Sequence, residues 1–223
     1  MSVLDQFSLK TKVAIVTGGE GLLGKVVCET VRDLGGEAIS FDIKSGQDIT
    51  DSASVEKLAA DTPCDILVNC AVGNQKAVAD GGIGYADDLN VQLVGAYNMT
   101  AAFGSKMVQR GTGVIVNIGS DLSLIGPDPS LYPTGMMKAA GYVVAKHGII
   151  GLTRYFAVIW GGKVRVNCLC PGSIDQGQMV PRSPMRRLAQ PDEMKGPLAF
   201  LMSEASSFMT GSILTVDGGR TCF

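Results

Sequence analysis

The chain is poor in histidine, tryptophan and charge: one His, one Trp and 18% charged residues across 223 positions. A single histidine leaves no imidazole cluster for a metal. The six cysteines (Cys28, Cys64, Cys70, Cys168, Cys170 and Cys222) contain no C-x-x-C pair, so no metal site is expected. They lie scattered, mostly in apolar stretches, where free Cys behaves as a small buried hydrophobe. That argues for thiols in a reducing cytoplasm rather than for a disulfide framework. The formal net charge of −2 lacks the basic excess that a nucleic-acid partner requires. Apolar runs stop well short of the roughly 18 residues that a membrane span needs, so no membrane is expected. Residues 1–10 show no basic stretch followed by an apolar one, and hence no secretory signal.

What is abundant is glycine, 29 residues, set between short β-branched runs and longer helical ones. Residues 12–17 (KVAIVT) read as a strand ending in a glycine cluster, and 22–34 as a helix closed by Gly35-Gly36. Strands follow at 37–42, 64–70, 113–118, 163–169 and 212–216. Helices are expected at 51–60, 85–110, 139–160 and 191–202. Alternating strands and helices imply right-handed crossovers and an α/β fold: a doubly wound parallel sheet of about six strands with helices on both faces. No repeat or linker divides the chain, so 1–223 reads as one domain. Between Asp42 and Asp48 there are too few residues for a crossover helix, which takes about a dozen. The outer strand beyond the second is therefore expected to be missing.

Thr17-Gly18-Gly19-Glu20-Gly21-Leu22-Leu23-Gly24 contains G-x-G-x-x-G between a strand and a helix, and Asp42 ends the next strand. In that context the motif is a dinucleotide fingerprint. Glycine lets the backbone approach a pyrophosphate, and the helix N-terminus offers unpaired amides and a favourable dipole. Asp42 can accept from the ribose hydroxyls, and with Glu20 it would repel a 2′-phosphate, which favours NAD over NADP. Lys44 pulls the other way.

These residues resemble the short-chain dehydrogenase/reductases over essentially the whole chain. The resemblance implies a Rossmann-like domain and a nicotinamide cofactor. Asp48, followed by Ile49, resembles the position that contacts adenine. Asn69-Cys70-Ala71 resembles the segment after the central strand, with Cys70 in place of an Asn. Asn90 matches the family's helix asparagine, Ser120 its catalytic serine, and Tyr142-x-x-x-Lys146 its signature pair. Pro171-Gly172, with Ile174 following, resembles the turn over the nicotinamide. Val216-Asp217-Gly218-Gly219 is similar to the usual ending. The family also implies a homodimer or homotetramer, paired through the helix that bears Tyr142.

The chemistry suits those residue types. Positions four apart share a helix face, so Tyr142 and Lys146 point together, and a nearby ammonium lowers a phenol's pKa. Tyr142 is the expected general acid/base, Ser120 the hydrogen-bonding partner of the substrate oxygen, and Asn90 the holder of a relay water. Tyr132 lies nearer Ser120 at the family's common spacing, but Met136 stands where a lysine is needed, so Tyr132 reads as a substrate-loop residue. His147 points to another face. The stretch 121–141 is longer than usual and would bring Leu131, Tyr132, Met136 or Met137 to the pocket. Arg182, Arg186 and Arg187 could meet an anionic substrate group or form a solvated turn. The expected reaction is hydride transfer between the nicotinamide and a small alcohol or ketone. The alternatives are a sugar-nucleotide epimerase or dehydratase with tightly bound NAD, and a non-catalytic dinucleotide sensor.

Overall fold

The computed structural model describes residues 2–73, 77–79, 85–178 and 182–222. In chain order the elements are β1 (Val13–Thr17), α1 (Leu22–Asp33), β2 (Glu37–Phe41), α2 (Ser52–Asp61), β3 (Ile66–Asn69), β4 (Ala77–Ala79) and α3 (Tyr85–Leu89). They continue as α4 (Ala96–Arg110), β5 (Gly113–Ile118), β6 (Met136–Lys138), α5 (Ala140–Ile159), β7 (Val164–Pro171), α6 (Lys195–Met202) and β8 (Ile213–Val216). Six strands form one parallel sheet in the order β2-β1-β3-β5-β7-β8, as the alternation of runs requires. β2 is the edge strand. A short 3₁₀ turn, Ile43–Ser45, follows it, and α2 then carries the chain across to β3, so no strand lies outside β2.

Strand side chains alternate between the two faces. Ala14, Val16, Ile66, Val68 and Val116 pack with Val27 and Val31 of α1 and Leu198 of α6. Ile15, Leu67 and Ile115 point the other way, onto Val55 of α2, Met99 and Phe103 of α4, and Phe156 of α5. The sheet is thus covered twice, which is why its strands read as continuous apolar runs. Local chemistry sets the helix ends. Asp51 caps α2 by accepting from the amides of Ala53 and Ser54. Gly35, at φ +86°, closes α1: its amide bonds to Arg32 O and that of Gly36 to Val31 O, the Schellman pattern.

Two features differ from a plain strand–helix alternation. The helical run 85–110 is not uniform, because Asn90–Gly95 forms a π segment between α3 and α4. Such segments are frequent at functional sites. The stretch 121–141 is folded rather than open: it holds 3₁₀ turns at Asp121–Ser123 and Pro129–Leu131 and then β6, which pairs antiparallel with β4. That pairing is between segments far apart in sequence, and no local pattern announces it.

Candidate active site

A cavity of about 1080 Å³ runs along the carboxyl ends of the parallel strands, where ligands bind in such sheets. Gly18, Gly21, Leu22, Leu23 and Gly24 line it, with Asp42, Asp48 and Ile49 on the β2 side. Cys70 and Ala71 follow β3, Ser120 follows β5, and Pro171, Gly172 and Ile174 lie at the end of β7 and beyond; all line the same space. Asn90, Tyr142 and Lys146 complete it from the helices. Gly19, Glu20 and Asn69 do not line the cavity. A β-carbon on Gly19 would meet Ser40, Glu20 gives its amide to Asp42, and Asn69 is buried among polar groups of the sheet. Its amide nitrogen donates to Thr100 Oγ1 at 2.9 Å and to Asn117 Oδ1 at 2.8 Å.

The glycine loop fits a dinucleotide. α1 begins without a side-chain cap, so the first-turn amides open towards the cavity. Gly18 sits at φ +66°, and a β-carbon there would stand 2.7 Å from Ala71 Cα. Asp42 fastens the loop to the edge of the sheet: Oδ2 accepts from Glu20 N and Oδ1 from Lys44 N, both at 3.0 Å. It is buried yet lines the cavity, and each oxygen keeps a lone pair for a further donor.

The reacting end is drier. Tyr142 is 9% exposed and Lys146 is 4% exposed, and both stand on the first turns of α5. Lys146 Nζ donates to Ile118 O at 2.8 Å and lies 5.6 Å from the Tyr142 ring centroid. The expectation that Lys146 brings the phenol towards neutrality needs correcting for this state. Burial pushes the Tyr142 phenol up to about 12; the Ser120 hydroxyl works to lower it, while Asp121, Tyr132 and Cys170 raise it. Burial also lowers the pKa of the Lys146 ammonium. Desolvation is the largest cause at both groups, which sit in low dielectric.

Three residues that sequence reasoning missed enter the wall. Lys138, the last residue of β6, holds its Nζ 4.1 Å from the Tyr142 ring centroid, and burial lowers its pKa to about 8. Asp121 and Arg220 form a buried ion pair at 2.6 Å beside Ser120. A polar residue directly after Ser120 and an Arg after the double glycine were the available signals. Tyr132 and Leu131 reach the cavity, while Met136 and Met137 do not line it. None of Arg182, Arg186 and Arg187 lines it either, and Arg187 pairs with Glu193. His147 is exposed, with Nδ1 3.0 Å from Val143 O. Among the described residues no group of His, Cys, Asp and Glu could hold a metal, and no helix is long and apolar enough to cross a membrane.

A six-stranded parallel sheet with a glycine loop after its first strand and a Tyr–Lys pair on the helix after Ser120 defines a nicotinamide-dependent oxidoreductase. A family model described as enoyl-(acyl carrier protein) reductase, of the short-chain dehydrogenase type, matches residues 9–221. The chain belongs to the short-chain dehydrogenase/reductase family. It is 31% identical to a 2-dehydro-3-deoxy-D-gluconate 5-dehydrogenase of Bacillus subtilis, over 96% of each chain. A gluconate 5-dehydrogenase of Burkholderia cenocepacia, solved in complex with NADP and tartrate, superposes with a TM-score of 0.84 at 26% identity, covering 100% of both chains. A short chain dehydrogenase of Leptospira borgpetersenii with bound NAD+ does so with a TM-score of 0.83 at 26% identity, over 99% of this chain and 96% of that one.

Proposed function

We propose that the protein moves a hydride between NAD(H) and a secondary alcohol or ketone on a small polyhydroxylated molecule, with Tyr142 as general acid/base. The observation that carries this reading is the convergence of Ser120, Tyr142 and Lys146 on one cavity whose wall continues to the glycine loop and Asp42. The names of the relatives favour sugar-derived alcohols, and they are dehydrogenases, which speaks against the epimerase and sensor readings.

When bound, the nicotinamide supplies or accepts the hydride at the substrate carbon. Tyr142 Oη gives a proton to the substrate oxygen in reduction and takes one in oxidation. Ser120 holds the substrate oxygen in place. Lys146, buried against Ile118 O, presents its remaining ammonium hydrogens to the nicotinamide ribose. Asn90, set by the π segment, faces the cavity where it can hold a water between Lys146 and solvent. Burial raises the Tyr142 phenol, so a positive charge placed near its oxygen would favour the phenolate. Asp42 supports NAD over NADP, because a buried carboxylate disfavours a second anion at the ribose.

Two further features complete the reading. The outer faces of the π segment, α4 and α5 expose Val94, Tyr97, Val144, Tyr155, Val158 and Ile159, an apolar surface suited to a homodimer or homotetramer. All six cysteines are free, five of them buried, which suits a reducing cytoplasm. The test is a spectrophotometric screen of NAD+ and NADP+ against secondary alcohols, polyols and sugar acids, with Tyr142→Phe as control. Turnover with NAD+ that drops about 10²- to 10⁴-fold in Tyr142→Phe is the expected result. Undiminished activity in that variant removes Tyr142 from the reaction.

A further inference from the structure

Beside Ser120 the cavity wall holds a buried ion pair whose partners follow β5 and β8 and are far apart in sequence. Arg220 Nη1 donates to Asp121 Oδ2 across 2.6 Å, and the two side chains are 8% and 5% exposed. Burying two charges costs several kcal/mol each unless geometry and further hydrogen bonds compensate. Here the second carboxylate oxygen, Asp121 Oδ1, accepts from the Ser120 hydroxyl and from the Leu122 amide, each at 2.8 Å. Arg220 is delivered by a built turn after β8. Asp217 accepts from the amides of Gly219 at 2.9 Å and Thr221 at 2.8 Å, and Gly218 and Gly219 take φ of +66° and +83°. A well-packed apolar pair of similar volume often stabilises a fold at least as well, so stability alone does not account for charges here. What the pair touches is Ser120.

We propose that Asp121, clamped by Arg220, is a positioning residue that sets the rotamer and hydroxyl direction of Ser120. This rests on the hydride-transfer reading above. The Ser120 oxygen receives the Leu122 amide at 3.1 Å and sends its hydrogen to Asp121. One lone pair is left for a donor in the cavity, on the side where Tyr142 stands. Ser120 Oγ is thereby fixed in position, ready to turn its hydrogen from Asp121 to a substrate oxygen. Arg220 draws charge from the carboxylate and keeps that hold exchangeable. The charge of Asp121 is also felt at Lys138, Tyr132 and Tyr142. The segment after β8 thus becomes part of the catalytic apparatus.

The test has two arms. The first needs no substrate: crystal structures of the wild type and of the double variant Asp121→Ala with Arg220→Met, which leaves no lone charge buried. Ser120 Oγ is expected to leave its wild-type rotamer in the double variant, and a Ser120 that stays in place overturns the proposal. The second arm measures turnover with NAD+ on the alcohol of the screen with the highest wild-type rate. Asp121→Asn is expected to lower kcat about tenfold with KM for NAD+ unchanged, an effect of misplacement rather than of binding. Arg220→Met should match that loss and Arg220→Lys recover most of it. In a Ser120→Ala background Asp121→Asn should cost nothing further, whereas losses that multiply overturn the proposal. A wild type that turns over none of the alcohols sinks the hydride-transfer reading, and the first arm then decides the role of the pair.

Discussion

Lys138 places its ammonium 4.1 Å from the centroid of the Tyr142 ring, closer than Lys146, whose nitrogen lies 5.6 Å away. The signature lysine is one of two cations at this phenol. A cation over an aromatic face is attracted by the ring, and a positive charge nearby favours the phenolate.

Lys138→Met is therefore expected to lower kcat/KM roughly tenfold near neutral pH. Burial depresses the Lys138 pKa to about 8 from 10.5, so the folded protein holds this proton more weakly than the unfolded chain. The cost of the buried charge is fully present below about 8 and is relieved as pH rises towards 10.5. Lys138→Met should thus melt higher than wild type at neutral pH, with the gap narrowing through that alkaline window. Thermal melts at a series of pH values check the sign, and a gap that widens with pH contradicts the assignment.

At the other side of the cavity, Asp42→Ala should weaken NADH binding about 10- to 100-fold, the scale of lost hydrogen bonds to a charged group. It should also narrow the preference over NADPH. Fluorescence titration with both cofactors measures this. Because Asp42 also holds the Glu20 and Lys44 amides, part of that loss comes from the loop, and a thermal melt of the variant measures that part.

Gly24→Ala tests the loop itself. A β-carbon at Gly24 would overlap Gly18 O and stand 2.7 Å from Gly19 Cα, both backbone atoms that cannot turn aside. The expected loss is about 2 kcal/mol of stability or more, together with cofactor affinity. Denaturant unfolding with wild-type stability would show that the loop is looser than this.

Tyr155, 60% exposed on α5 among apolar neighbours, is expected to sit at the contact between copies. Tyr155→Glu should shift the assembly to monomers in light scattering, because an unpaired carboxylate is costly at a dry interface. A wild type that is already monomeric refutes the interface.

Much of the fold was legible because it is local. The alternation of apolar runs is the alternation of side chains across a twice-covered sheet, and Gly18, Gly24 and Asp42 sit at spacings that a strand–turn–helix unit dictates. Tyr142 and Lys146 share a face because a helix turns every 3.6 residues. The missing outer strand beyond β2 followed from counting residues between Asp42 and Asp48.

What tertiary structure alone decided depends on distance and burial. Asp121 and Arg220 meet only because β5 and β8 end at the same rim of the sheet. Lys138 reaches Tyr142 because β6 pairs with β4, a contact with no sequence period. Asn69 turns into the sheet, where Thr100 and Asn117 accept from its amide nitrogen. The direction of the Tyr142 pKa reversed through burial. Spacing identifies neighbours along a helix, but how much water reaches them is set by everything packed around, and desolvation is the largest influence on this phenol.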